Sequence, residues 1–170
     1  VLVDALGTAG RAATSRAALP VLSGLRLQLS GDQLRITGSD LDLTITRSLS
    51  VAGAEDGVAV LPAKLAVDIV RALEPGGVEV DTSGDRPSIR AGRSEFFLNA
   101  IPADEYPNPH EPEGESVTLQ SGHLADGLRQ VVGAASSDES RPILTGVLLA
   151  AEDGGLRLVS TDSYRLAYRD

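Results

Sequence analysis

The chain has 170 residues, with 15 Lys and Arg against 24 Asp and Glu and a formal net charge of −9. That balance excludes a generally basic nucleic-acid binder, though not a local cationic face. There is no Cys, and His110 and His123 are the two histidines, so disulfides, thiolate zinc sites, thiol nucleophiles and a multi-histidine relay are excluded as well. No apolar run approaches the ~20 residues of a membrane span, and no signal peptide is visible.

Read from the start, Leu2, Leu6, Ala9 and Ala13 recur on one face of a helix, weakened by Gly7 and Gly10. Strands follow. Leu25, Leu27 and Leu29 alternate with polar residues up to a turn at Gly31-Asp32, and Leu34 and Ile36 alternate after it. Leu41, Leu43 and Ile45 predict a third strand of the same half-buried antiparallel kind. A further strand leads to Pro62, which opens a second helix with Leu65, Ile69 and Leu73 on one face; Glu74-Pro75-Gly76-Gly77 ends it. Three more strands are predicted near 78–82, 87–91 and 94–100. The order is an α+β unit with a pseudo-repeat inside it.

Charge is concentrated in the next stretch. Residues 101–120 hold Asp104, Glu105, Glu111, Glu113 and Glu115, four prolines, and no Lys or Arg. More than half of the net charge sits there, so the bodies on either side are nearly neutral. Proline removes backbone donors, and the stretch reads as an extended acidic linker at 104–115 between a body at 1–103 and a second at 116–170. In the second body Leu124, Leu128, Val131, Val132 and Ala135 form one helix face behind a candidate N-cap, Ser121.

The second body repeats the first. Sliding the chain by 122 positions places residues 1–48 on 123–170 with 14 identities and no gap. Pro20 meets Pro142, Leu22 meets Leu144, Gly24 meets Gly146, and Asp40 meets Asp162. Two copies of one helix-plus-three-strand unit are expected, the second stopping at Asp170, well short of a full copy. The absence of a starting Met also suggests a fragment.

The stretches LPVLSGLRLQ, ITGSDLDL, LPAKLAVDIVRAL, IRAGRSEFFLNAIPADEYPN, RPILTGVLL and STDSYRLAYRD resemble the sliding clamp of bacterial DNA polymerase III, its beta subunit, in family order and spacing. The composition is similar to an actinobacterial version. The resemblance implies a DNA-clamp fold of repeated helix-plus-antiparallel-strand units. Residues 1–103 would be domain one without its first strand, 116–170 the opening half of domain two, and domain three would be absent. It implies a cytoplasmic, non-enzymatic processivity factor that needs no cofactor or metal. Its partners would be duplex DNA bound without sequence preference, and polymerase III subunits and the clamp loader docking through short linear motifs. A full-length chain would close as a homodimer ring. The alternative is a truncated paralogue acting as a stand-alone peptide-binding module.

Carried over position by position, the resemblance implies phosphate contacts from Arg16, Lys64 and Arg141, the last in a loop Ser136–Ile143. It implies a peptide pocket from Leu144, Thr161, Ser163, Tyr164, Arg165 and Leu166, with leucines as apolar wall and Thr161 and Arg165 as polar anchors. Ser163-Tyr164 stands where some relatives have Gly-His. A hydrolase triad of Ser163, Asp162 and His123 lacks the G-x-S-x-G elbow around its serine. Asp40 and Asp42 share a strand face as a possible D-x-D metal site, but no third ligand accompanies them.

Overall fold

The computed structural model describes residues 1–14, 19–84, 86–108, 118–152 and 155–170. They form two compact units, divided near residue 111.

In the first unit, helix α1 (Leu2–Ala9) is followed by strands β1 (Gly24–Ser30), β2 (Gln33–Ser39) and β3 (Thr44–Ser50), then β4 (Gly57–Pro62) and helix α2 (Ala63–Ala72). Three short strands close it: β5 (Glu79–Asp81), β6 (Ser88–Ala91) and β7 (Ser94–Phe97). Both sheets are antiparallel, ordered β3-β2-β1-β4 and β5-β6-β7. The sequence placed every one of these elements, because apolar alternation switches cleanly between periods of two and of 3.6.

The core lies between the helices and the sheets. Ala5, Leu6 and Ala9 of α1 and Ala66, Ile69 and Val70 of α2 pack with Leu25, Ile36, Leu61 and Ile89 from the strands. Small residues on both helices allow the close approach that leucines could not. Helix and strand come closest to touching at Gly38, where a Cβ would collide with the carbonyl of Ala9. Leu65 points outward, against the predicted stripe; Ala63 and Ala66 take the buried face of α2 in its place.

A satellite cluster joins Val21, Leu22 and Val60 to Tyr106. Ile101 N–H donates to Val60 O at 3.1 Å, and the Tyr106 hydroxyl donates to Thr37 O at 3.3 Å. Burial pushes that phenol's pKa above its ordinary value. Ala103–Glu105 is a single 3-10 turn, and Tyr106 is only 5% exposed. The folded body therefore continues past residue 103, anchored by an aromatic side chain inside a stretch whose prolines and acids read as linker. The rest of that stretch, 109–117, lies outside the described residues.

In the second unit, helix α3 (Ser121–Val131) precedes β8 (Leu148–Glu152), β9 (Gly155–Thr161) and β10 (Leu166–Arg169), in one antiparallel sheet ordered β10-β9-β8. The repeat holds at the level of register. Leu27 faces Ile36 and Leu149 faces Leu158, both 122 positions on. Thr14 N–H donates to Leu22 O and Ser136 N–H to Leu144 O. Ser160 stands where Gly38 does, and its hydroxyl donates to Val131 O, the counterpart of Ala9 O. Ser121 is the first residue of α3 and no cap; Gln120 occupies that position without a side-chain bond. Val132 is exposed and Ala134 buried, because the helix tightens into a 3-10 turn at Val132–Ala134 and the face rotates.

The third predicted strand starts three residues late. Leu41 and Leu43 are exposed and belong to a turn, with Leu41 at φ 84. Asp40 Oδ1 accepts from Asp42 N–H at 3.1 Å and Leu43 N–H at 2.7 Å. An aspartate that satisfies two backbone donors holds the chain out of the ladder whatever the apolar alternation around it.

Gly38→Ala is expected to lower stability by about 1–3 kcal/mol, the usual range for overpacking, because helix and strand backbones are already in contact there. The midpoint of urea unfolding checks it.

Candidate functional site

Two places gather the residues singled out in the sequence. The first is the turn joining β9 to β10. Asp162 Oδ1 accepts from Tyr164 N–H and Arg165 N–H, both at 2.9 Å, and Asp162 Oδ2 accepts from Arg165 Nε at 2.9 Å. Thr161 Oγ1 donates to Arg165 O at 2.7 Å and accepts from Ser163 N–H at 3.1 Å. Ser163 sits at φ 81. It is the Asp40 turn again, 122 residues later. The backbone bonds, led by that from Arg165, hold the Asp162 carboxyl below the usual carboxylate range.

So braced, the turn displays its side chains. Tyr164 is 95% exposed and Leu166 63%. Leu144 is half-buried at the end of a 3-10 turn, Pro142–Leu144, and Ile143 is open to solvent. Arg141 links the two segments, with Nη1 donating to Ser163 Oγ at 3.1 Å and Nε to Asp138 Oδ2 at 3.0 Å. Asp138 is in turn held by Ser140, whose side chain does most to keep the Asp138 carboxyl below its ordinary pKa. Five of the six expected pocket residues lie in this turn and at the start of β10; Leu144 lies three residues beyond Arg141, whose guanidinium reaches Ser163. Asp162 and Asp40 both spend their carboxylates on their own turns, which accounts for their place in the repeat without a triad or a metal.

The second place is a groove of about 400 Å3 between the end of α1 and α2. Lys64 lies on its wall, as do Arg11 and Arg71. All three are exposed, and Asp68 is the acid among them. Gly7 and Ala13 keep the floor low. Sequence reasoning singled out Lys64 and passed over the other two. The signal was present: Lys64 and Arg71 stand seven apart, two helical turns, on one face of α2. Arg11 had no such signal, because it reaches the groove from a different segment. Arg16 lies outside the described residues.

Residues 1–110 match the family model for the DNA polymerase III beta subunit, N-terminal domain, and residues 118–170 match that for its central domain. The chain belongs to the DNA polymerase III beta subunit family. It is 36% identical to the beta sliding clamp of Streptomyces coelicolor, over all of this chain and 45% of that protein. It is 35% identical to that of Bacillus subtilis, over 99% of this chain and 47% of that one. Among solved structures, the beta subunit of Pseudomonas aeruginosa matches with a TM-score of 0.89 at 31% identity, covering 98% of this chain and 46% of that one. A second structure of that clamp, bound to griselimycin, matches equally well. The chain spans about half the length of the relatives it matches. The α+β clamp fold that the resemblance implied is the fold of these beta subunits.

The Asp162 shift carries a sign for this beta-subunit chain. A carboxylate with a depressed folded-state pKa supports its turn above its unfolded value, near pH 3.8, and the support is lost as pH falls through the lower folded value. The amide resonances of Tyr164 and Arg165 should therefore hold constant from neutral pH down to about pH 4 and move only below it. Asp162→Asn keeps an acceptor oxygen but should remove that transition.

Proposed function

We propose that this chain serves in a sliding clamp, a processivity factor that encircles duplex DNA without reading its sequence and docks polymerase and repair proteins by short peptide segments. The observation that carries the docking half is the difference between the two copies of the Asp-capped turn. In the first unit the wall position is Leu22, fully buried under Tyr106, and the strand after the turn opens with Thr44. In the second, Leu144 is half open and the strand opens with the exposed Leu166. Two leucines beside a rigid turn, with Arg165 and Tyr164 at the rim, suit a short apolar segment with a polar flank. The griselimycin complex of the P. aeruginosa clamp supplies a ready ligand to test on this turn.

The groove between α1 and α2 supports the DNA half. Three exposed cations around a glycine-floored groove suit phosphates, and phosphate contacts alone carry no sequence preference. With so few cations and a net charge of −9, retention must come from a closed ring and not from affinity. That ring would be a homodimer of the complete chain. No helix among the described residues is long and apolar enough to cross a membrane, and the replication role would place the protein in the cytoplasm, with the clamp loader and polymerase III subunits as partners.

A labelled polymerase-tail peptide should bind with micromolar affinity. Burying two leucine-sized side chains yields roughly 3–6 kcal/mol, much of it consumed by association entropy. Leu166→Ala should weaken that peptide, and griselimycin, by about tenfold or more; equal affinity for both forms would place the docking site elsewhere.

Duplex binding should be weak and salt-dependent. Lys64→Glu or Arg71→Glu should each flatten the plot of log affinity against log salt by about one unit, as read by fluorescence anisotropy on a labelled duplex.

A further inference from the structure

The two copies of the repeat make one turn with different supports, and the difference falls on Arg141. In the first unit the turn is closed at its base by a hydroxyl pair, Ser39 Oγ with Thr44 Oγ1 at 2.8 Å, across the last rung of the β2–β3 ladder. The corresponding rung in the second unit pairs Thr161 with Leu166. Leucine supplies an apolar wall and cannot make the hydroxyl bond. Thr161 Oγ1 turns to Arg165 O in its place, while the residue at the crest of the turn is left-handed in both units, Ser163 at φ 81 and Leu41 at φ 84. Residues other than glycine enter that region at a cost.

Among the described residues, only the second unit adds a side chain from outside the turn. The Arg141 guanidinium donates through Nη1 to Ser163 Oγ and through Nε to Asp138 Oδ2. Asp138 is itself fixed by the backbone and hydroxyl of Ser140, at 3.0 and 2.6 Å. In the first unit Leu19 stands at the position of Arg141 and Leu41 at that of Ser163, so neither half of this link exists there. A second feature ties Arg141 to the docking surface: it is the residue that leads into the Pro142–Leu144 turn.

We propose that Arg141 is a positioning residue for the peptide site. Its fork, held by Asp138, ties the crest of the turn at Ser163 to the segment leading into Pro142–Leu144 and so fixes Leu144 and Leu166 on either side of one brace. The proposal rests on the reading of this turn as the docking site. It reassigns Arg141 from the phosphate contacts that the sequence suggested, since its Nε and one Nη are committed within the unit. It also explains why an arginine stands there. A lysine offers a single ammonium and cannot hold two acceptors in fixed planar geometry.

The test measures two things on the 170-residue chain. One is amide hydrogen exchange at Ser163, Tyr164 and Arg165; the other is the affinity of the labelled polymerase-tail peptide. Arg141→Ala and Arg141→Lys should both speed exchange and weaken the peptide by about two- to fivefold, the range for exposed charged pairs. In a Ser163→Gly background, where the hydroxyl that Arg141 holds is gone, the same Arg141→Ala change should have no further effect on either measurement. Wild-type exchange and affinity in Arg141→Lys would show that charge alone matters and overturn the proposal. So would an Arg141→Ala effect of undiminished size in the glycine background. Leu166→Ala serves as the control for the site: if it leaves peptide affinity unchanged while exchange still follows Arg141, the docking reading falls, and with it the peptide half of the proposal.

Discussion

One carboxylate accepting two backbone N–H groups decides where the second strand of each repeat ends and the third begins. Asp40 does this in the first unit and Asp162 in the second. Everything placed near the end of β2 takes its position from that stop. Gly38 meets the α1 carbonyl of Ala9, Thr37 O receives the Tyr106 hydroxyl, and Ser39 bonds across to Thr44. The same stop at the end of β9 sets Ser160 against α3 and lifts Tyr164 and Leu166 into solvent. A carboxylate that accepts from two backbone N–H groups at once offers the exposed turn a charge-assisted local alternative to the ladder, and it prevails over the strand preference of the leucines beside it.

Against this common frame, the two units differ in what covers the wall beside the turn. Tyr106 fills the first unit's wall from within the chain, packing with Leu22, Val21 and Val60. That makes the wall part of a closed apolar cluster. The counterpart in the second unit, Leu144, remains half open. One fold thus yields a sealed surface in one copy and an open one in the other, through a single aromatic side chain and the exchange of Thr44 for Leu166. The supports follow suit: a hydroxyl pair closes the first turn, and an arginine fork reaches the second.

Charge follows the same division between whole and part. The chain is acidic, yet the acids cluster in 101–120 while Arg11, Lys64 and Arg71 gather around one groove. Electrostatic attraction to a polyanion depends on the local field within about 10 Å at ordinary salt, so the groove and the net charge are not in conflict. In the proposed clamp these cations, with Asp68 interposed, would attract phosphates without holding them firmly, a balance suited to movement along DNA.

The sequence by itself determined the element order and the 122-residue repeat, because both are written in periodicity and spacing that local physics reads directly. Leu27 and Leu149 hold equivalent positions in their sheets, 122 residues apart. The family came from the resemblance of its motifs, and that resemblance also grouped Leu144, Thr161 and the run from Ser163 to Leu166. What tertiary structure alone decided lies wherever a partner comes from a distant segment. Tyr106 reads as linker until its ring is seen among Val21, Leu22 and Val60. Leu41 and Leu43 depart from the strand reading for a local reason instead, since the Asp40 carboxylate accepts from Asp42 N–H and Leu43 N–H and makes a turn there. Arg141 reads as a surface cation until Asp138 and Ser163 are found on its two faces. Periodicity records which side of an element is buried. It carries no record of which groups meet across the fold, and those meetings, made by hydrogen bonds between residues far apart in the chain, shape the site.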